Sequence, residues 1–93
     1  FKNKINISRL IVSLSPNPVN RSGHIMLRFN ADKTSKMEVR VLDMDGRSVI
    51  ETTMQATEGV NNGHLMLGNI AVGPYSIVFE LNGIKEVYKL IVR

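Results

Sequence analysis

The sequence predicts an all-β domain built as an antiparallel sandwich of about seven short strands. Runs rich in β-branched and aromatic residues alternate with turn residues at short, regular intervals along the 93-residue chain. Two dipeptides, Asp45-Gly46 and Asn82-Gly83, are typical of tight hairpin turns. No stretch repeats its apolar residues with a helical period. These features together indicate a single sandwich of immunoglobulin-like size.

The first two predicted strands flank a proline-containing stop. Residues 10–14 alternate, so that Leu10, Val12 and Leu14 are expected to face inward. The stop is Pro16-Asn17-Pro18, because proline has no amide hydrogen to donate to a ladder. Residues 25–29 alternate again, and we expect their first, third and fifth residues to lie in the core.

The first predicted hairpin turns at Asp45-Gly46. A two-residue turn there pairs Val41 with Ile50 on an apolar face, and on the other face it pairs Arg40 with Glu51, which we expect to form an ion pair. Residues 55–63 are then expected to form a turn-rich connection, residues 64–67 a short strand, and residues 68–73 a loop.

The second predicted hairpin turns at Asn82-Gly83 and closes the chain. The turn sets Leu81 opposite Ile84 and fixes every later pair. One face of this hairpin is then apolar except for Glu86. The last strand could lie at a sheet edge and offer its backbone to another strand.

Composition excludes several classes of function. Cysteine is absent, which removes disulfide and thiolate chemistry, and no apolar run approaches the ~20 residues of a membrane helix. Of the net charge of +4, three charges belong to Lys2, Lys4 and Arg9. Residues 10–93 are nearly neutral, so nucleic-acid binding is not expected. We predict that residues 1–9 form a linker from an upstream domain and that residues 10–93 form the domain.

Two groups of residues invite a metal-site interpretation. Residues 43–46, Asp-Met-Asp-Gly, resemble the start of a calcium loop but lack its later ligands, so we interpret them as a turn capped by Asp43. His24 and His64 precede similar strands, each followed two residues later by methionine. Neighbouring strands would bring these side chains together as a soft-metal site. Otherwise they lie on a solvated face, which is the interpretation we adopt, with no metal and no cofactor.

Nothing in the sequence activates a nucleophile, so we expect no enzymatic activity. The turn at Gly73-Pro74-Tyr75 fits a tyrosine corner, in which the hydroxyl bonds nearby backbone. The basic end, residues 89–93, fits an edge strand on which lysine discourages unwanted pairing.

Taken in order, these residues resemble a known family, the C-terminal sorting domain of proteins exported by the type IX secretion system of Bacteroidetes. The resemblance covers about residues 13–93. Its motifs are Pro16-Asn17-Pro18; the hairpin of residues 39–49 with Asp43, Gly46 and Arg47; Gly59-Val60-Asn61; Leu65 and Leu67 before Ile70; Gly73-Pro74-Tyr75; and Lys89-Leu90-Ile91-Val92-Arg93.

The resemblance implies an address rather than a catalyst. It implies cargo that transits the periplasm and then reaches the outer membrane, the cell surface or the medium through the translocon and its shuttle protein. It also implies cleavage by a sortase-like cysteine protease, at a point left open within residues 1–15, and attachment of the cargo to anionic lipopolysaccharide. We expect recognition at Gly73, Tyr75 and residues 89–93, with the Pro16-Asn17-Pro18 and Asp43, Gly46, Arg47 motifs playing structural roles.

Two other functions and a dimer stay open at this point. A cell-surface binding module, for example for carbohydrate, would usually expose a cluster of aromatic residues, whereas this chain has no Trp, two Tyr and three Phe. A structural spacer would place a further domain after Arg93. An edge strand could also pair two copies of the chain.

Overall fold

The computed structural model describes residues 10–93, which form seven strands in two sheets. The strands are β1 (Ile11–Ser15), β2 (His24–Ala31), β3 (Ser35–Leu42), β4 (Ser48–Ala56), β5 (Gly59–Met66), β6 (Gly73–Leu81) and β7 (Ile84–Val92). One sheet has the order β1-β2-β5 and the other β4-β3-β6-β7, with antiparallel pairing throughout both. The predicted all-β fold is confirmed. The predicted linker, residues 1–9, lies outside the described residues.

The core lies between the two sheets and receives apolar side chains from every strand. Strand alternation places it there: Ile25, Leu27 and Phe29 of β2 are buried, as predicted, while Met26 between them is half exposed. Burial of a large apolar side chain contributes about 1.5–3 kcal/mol. Among residues 10–93 no polar or charged residue is fully buried.

The closing hairpin matches its predicted register from Leu81 opposite Ile84 onward. Asn82 and Gly83 both have positive φ, 49° and 84°, as a type I′ turn requires. The inward-facing Glu86 has a structural explanation: its carboxylate accepts hydrogen bonds from backbone amides at the start of the other sheet, Leu10 N at 2.8 Å and Ile11 N at 3.1 Å, and from Tyr88 Oη at 2.6 Å. The one charged residue of this face therefore ties the two sheets together.

The other hairpin turns differently from the prediction. A three-residue loop, residues 44–46, replaces the predicted two-residue turn, because Asp43 N donates to Arg47 O at 2.9 Å. Gly46 occupies the left-handed region with φ 86°, which is the usual third position of such a loop.

Two β-bulges affect the predicted registers, one by preserving a predicted pair and the other by changing a predicted face. Between β3 and β4, Val49 falls outside the ladder, which restores the predicted pairing of Val41 with Ile50. In β1 the register shifts between Ile11 and Ser13, so that Val12, predicted to face inward, is 53% exposed. An extra residue on one strand has no signature in an alternation pattern this short.

The predicted ion pair between Arg40 and Glu51 is wrong. These residues are paired across the ladder, but the Arg40 guanidinium contacts Glu80 of β6 at 3.3 Å instead. Because β3 is a central strand, Arg40 has neighbours on both β4 and β6, and the hairpin register specifies only those on β4.

Strand β5 begins earlier than predicted. Residues 59–63 belong to β5 and pair with β2, although their Gly and Asn content indicates a turn. Gly63 allows the two sheets to approach closely, because a Cβ there would lie 2.8 Å from Met54 Sδ, which would have to shift, and 3.5 Å from Phe29 Cε1. A glycine at a close approach of two sheets thus has the same sequence signature as a turn residue.

Candidate functional site

Several segments that the sequence analysis singled out lie at one end of the sandwich. There β6 begins and β7 ends, with Gly73 opposite Val92 and Tyr75 opposite Leu90. The loop after β1 passes the same place, since Val19 forms an isolated parallel bridge with Val92. The sequence motifs that are far apart in the chain therefore meet around its last residues.

Asn17 holds the last strand through its side chain. Its Nδ2 donates to Lys89 O at 2.7 Å, and its Oδ1 accepts from Ile91 N at 3.0 Å. The residues on either side of Asn17, Pro16 and Pro18, have no amide hydrogen of their own. The Asn17 amide thus supplies the donor and acceptor that a neighbouring strand's backbone would otherwise provide.

Backbone hydrogen bonds continue this contact toward the chain end. Val19 N donates to Ile91 O at 2.9 Å, Arg93 N donates to Val19 O at 2.9 Å, and Arg21 N donates to Arg93 O at 2.8 Å. We call residues 17–21 together with residues 89–93 the chain-end clip. The expectation that the last strand offers a free edge is therefore wrong over residues 89–93, because residues 17–21 already occupy that edge.

The side chains of residues 89–93 alternate between core and solvent. Leu90 and Val92 are 0% and 1% exposed, whereas Lys89 and Arg93 are exposed and Ile91 is half-buried. A strand with one face in the core must alternate in this way. The outward-facing side chains of residues 89–93 are thus, in order, basic, aliphatic and basic.

Tyr75 supports this end of the sheet from within. It is 7% exposed, and its hydroxyl donates to Ala71 O at 2.6 Å, four residues upstream. The predicted tyrosine corner is confirmed. Gly73, at the start of β6, has φ 148°, a backbone conformation that other residues rarely adopt, while the space around its missing Cβ is open.

The loops next to the clip are also tied together. Ser22 Oγ lies 2.8 Å from Asn69 Oδ1, and Leu67 N donates to Gly23 O at 3.2 Å. These bonds connect the loop after β1 with the loop before β6, so that the arm of the clip formed by residues 17–21 is anchored at its end.

The Asp43 turn lies at the same end, since β3 ends there with Leu42 opposite Ser76. Asp43 Oδ1 accepts from Asp45 N at 2.9 Å and Arg47 N at 3.0 Å, and Oδ2 lies 3.3 Å from Arg47 Nε. The backbone hydrogen bond from Arg47 is the main cause that lowers the pKa of Asp43 below its usual value, against the opposing effect of partial desolvation. The capping role is confirmed.

The two histidines lie on neighbouring strands. In the β2–β5 ladder His24 is opposite Met66 and Met26 is opposite His64, all on the outer face. The two imidazole rings meet edge to face, with centroids 5.4 Å apart and an interplanar angle of 73°. Within residues 10–93 no three side chains of the types His, Cys, Asp and Glu group closely enough to hold a metal ion.

The fold and the clip define a small all-β domain that fixes its last residues on a supported strand. A protein-family model described as a secretion system C-terminal sorting domain matches residues 13–93. The chain belongs to this family, as its motifs indicated. It is a C-terminal sorting signal for type IX secretion, which implies interaction with that machinery and export across the outer membrane to the cell surface or the medium.

A search of curated proteins found no match to this chain. Within residues 10–93, no helix has the length and hydropathy needed to cross a membrane.

Proposed function

We propose that the type IX translocon or its shuttle protein recognises the outward-facing side chains at the chain end of the clip, namely the exposed Lys89 and Arg93 and the half-buried Ile91 between them. The observation that carries this proposal is their regular outward alternation on a strand held on both edges, by β6 and by residues 17–21. The domain in this proposal comprises residues 10–93, and residues 1–9 link it to the cargo.

A strand whose backbone is hydrogen-bonded on both edges is already ordered before a receptor binds it. Ordering a flexible side chain at an interface costs about 0.5–1.5 kcal/mol, and a rigid backbone limits this cost to the side chains themselves. Lys89 and Arg93 flank the aliphatic Ile91, so the complementary surface is an apolar contact bordered by acidic groups.

The buried members of the predicted site act by positioning. Leu90 and Val92 fix the strand in the core, Tyr75 bonds the loop before β6, and Gly73 allows the backbone path into that strand. Two further motifs shape the same end of the domain without entering the interface. They are Pro16-Asn17-Pro18 and the turn that contains Asp43, Gly46 and Arg47.

The occupied edge determines the mode of recognition. A receptor strand cannot add to the backbone of residues 89–93 unless it displaces residues 17–21. Recognition therefore uses side chains. For the same reason, a dimer formed by edge pairing would have to use another edge, such as β4 or β1.

The domain acts as an address and not as a catalyst. Cargo carrying it crosses the periplasm, a sortase-like cysteine protease cleaves within residues 1–15, and the cargo is joined to anionic lipopolysaccharide. These steps are supported by membership of the sorting family.

The test uses point substitutions rather than deletion. Removing residues 89–93 would also remove two core residues and the partners of residues 17–21, so a loss of export would not separate recognition from folding. Lys89→Ser, Ile91→Ser and Arg93→Ser change side chains on the outer face instead. They are combined in a reporter fusion, and the exported fraction is measured in a type IX-competent bacterium.

The matched control is Lys85→Ser, which removes an exposed lysine from the other end of β7. We expect the triple variant to fold, with a melting temperature lowered only by the truncation of the half-buried Ile91 side chain, and to accumulate in the periplasm. The control should be exported normally. Normal export of the triple variant would refute recognition at the clip.

A further inference from the structure

The outer face of the three-stranded sheet carries four soft-metal ligands in a two-by-two array. Along β2, His24 and Met26 are separated by one inward residue, as are His64 and Met66 along β5. The ladder sets each histidine opposite a methionine of the other strand. The imidazoles therefore occupy one diagonal of the array and the thioethers the other.

We propose that these four side chains bind one Cu(I) ion through two imidazole nitrogens and two thioether sulfurs. This soft-metal site is separate from the sorting signal and does not depend on how the secretion machinery recognises the clip. The site requires that the two strands carrying the histidines are neighbours. The sequence does not settle this, and in the fold β2 and β5 are neighbours.

The spacing of the imidazoles suits a shared ion. Nitrogens that bind one metal at about 2.0–2.1 Å lie roughly 3.3–4.2 Å from each other. The ring centroids are 5.4 Å apart, so rotation about the side-chain bonds brings ring nitrogens into this range. Both histidines are exposed, and exposed side chains change rotamer on a picosecond to nanosecond timescale.

The backbone beneath the array is fixed. The β2–β5 register runs without interruption from His24 opposite Met66 to Ala31 opposite Gly59. Ile25 and Leu65, the residues between the ligands, are paired with each other and are 0% and 2% exposed. The ligand positions are thus set by buried neighbours, and only side-chain rotation is needed for binding.

The ligand types select the metal. Thioether sulfur is a soft donor that favours Cu(I) over Zn(II), Mg(II) or Ca(II), and imidazole suits copper as well. All four donors are uncharged when they bind, which favours a monovalent ion over a divalent one. The thioethers are accessible, since Met26 and Met66 are 50% and 65% exposed.

The experiment is an anaerobic titration of the purified 93-residue protein with Cu(I), in competition with a chromogenic chelator. We expect one Cu(I) per chain. Met26→Leu, Met66→Leu and His64→Ala each remove one ligand and should weaken binding at least about tenfold. Met44→Leu, at a methionine that is 77% exposed in the Asp43 turn, is the matched control and should bind as the wild type does.

A second readout needs no variant. With Ag(I) as a redox-inert substitute, the methyl resonances of Met26 and Met66 should shift while that of Met44 stays in place. The proposal is overturned if Cu(I) binds with a stoichiometry well below one, if replacing both array methionines leaves the affinity unchanged, or if Met44 responds to Ag(I) as strongly as they do.

Discussion

Replacing Asn17 with alanine should loosen the chain end without disturbing the core. The Asn17 side chain makes two hydrogen bonds to the last strand, to Lys89 O and from Ile91 N, and it is exposed to solvent. The backbone of Pro16 and Pro18 cannot replace the bond to Lys89 O, because proline has no amide hydrogen to donate. The clip would then rest on the backbone bonds of Val19 and Arg21 alone.

The expected loss of stability follows from those two bonds. A hydrogen bond contributes about 0.5–1.5 kcal/mol net, so the pair contributes about 1–3 kcal/mol, and exposure to water places Asn17→Ala in the lower half of that range. For a domain of this size, 1 kcal/mol lowers the melting temperature by about 4–8 °C.

Chemical denaturation measures the loss, and amide hydrogen exchange locates it. The Ile91 amide should exchange faster in Asn17→Ala, while amides in the β2–β5 ladder keep their protection because they share no partner with Asn17. Asn20→Ala, at an exposed asparagine in the same segment, is the matched control.

Asn17→Asp gives an independent check. Aspartate keeps an acceptor for Ile91 N but replaces the donor 2.7 Å from Lys89 O with a second acceptor, so this variant should lose the bond to Lys89 O and keep the bond from Ile91 N. Its Ile91 amide should therefore stay better protected from exchange than the same amide in Asn17→Ala. A loss below about 0.3 kcal/mol in Asn17→Ala, with unchanged exchange at Ile91, would refute the clip, since that is within ordinary surface effects.

Four further substitutions test other parts of the account. Tyr75→Phe should cost about 1 kcal/mol, because one hydrogen bond to backbone is lost while the ring still packs, and thermal melts measure it. Gly73→Ala should cost about 1–3 kcal/mol by denaturation, from backbone strain at φ 148° and not from a clash. Asp43→Asn should flatten the acid end of the stability curve, as denaturation at a series of pH values would show: the lowered pKa makes the wild-type carboxylate stabilising above its unfolded pKa of about 4, and that advantage is lost as the pH falls below this value. Gly63→Val should destabilise more than Gly63→Ala, since a flexible Met54 can move away from one methyl group but not from a branched side chain.

The sequence predicts the hairpin registers well because they are set locally. Asn82-Gly83 imposes a type I′ turn, and alternation then assigns every later pair to a face. The predicted pairing of Val41 with Ile50 is also correct. The loop is one residue longer than predicted, and the bulge at Val49 shifts the register back, so the two deviations cancel.

The clip could not be predicted because its contacts are distant in the chain. Asn17 and Lys89 are separated by 72 positions, and the proline motif looks like a simple strand stop when it is viewed alone. The extra residue in β1 and the glycine packed under Met54 are likewise consequences of how two sheets fit together. Family resemblance pointed to the motifs that lie at this end, whereas their geometry came only with the fold.

The most direct test of the central claim is the destination of a fluorescent reporter that carries a signal peptide at its front and residues 10–93 at its end. In a type IX-competent bacterium, the account predicts that this reporter reaches the cell surface or the medium, and that it stays in the periplasm of a strain without a working translocon. Periplasmic retention of a stably folded fusion in the competent strain would contradict the claim that residues 10–93 contain the sorting signal.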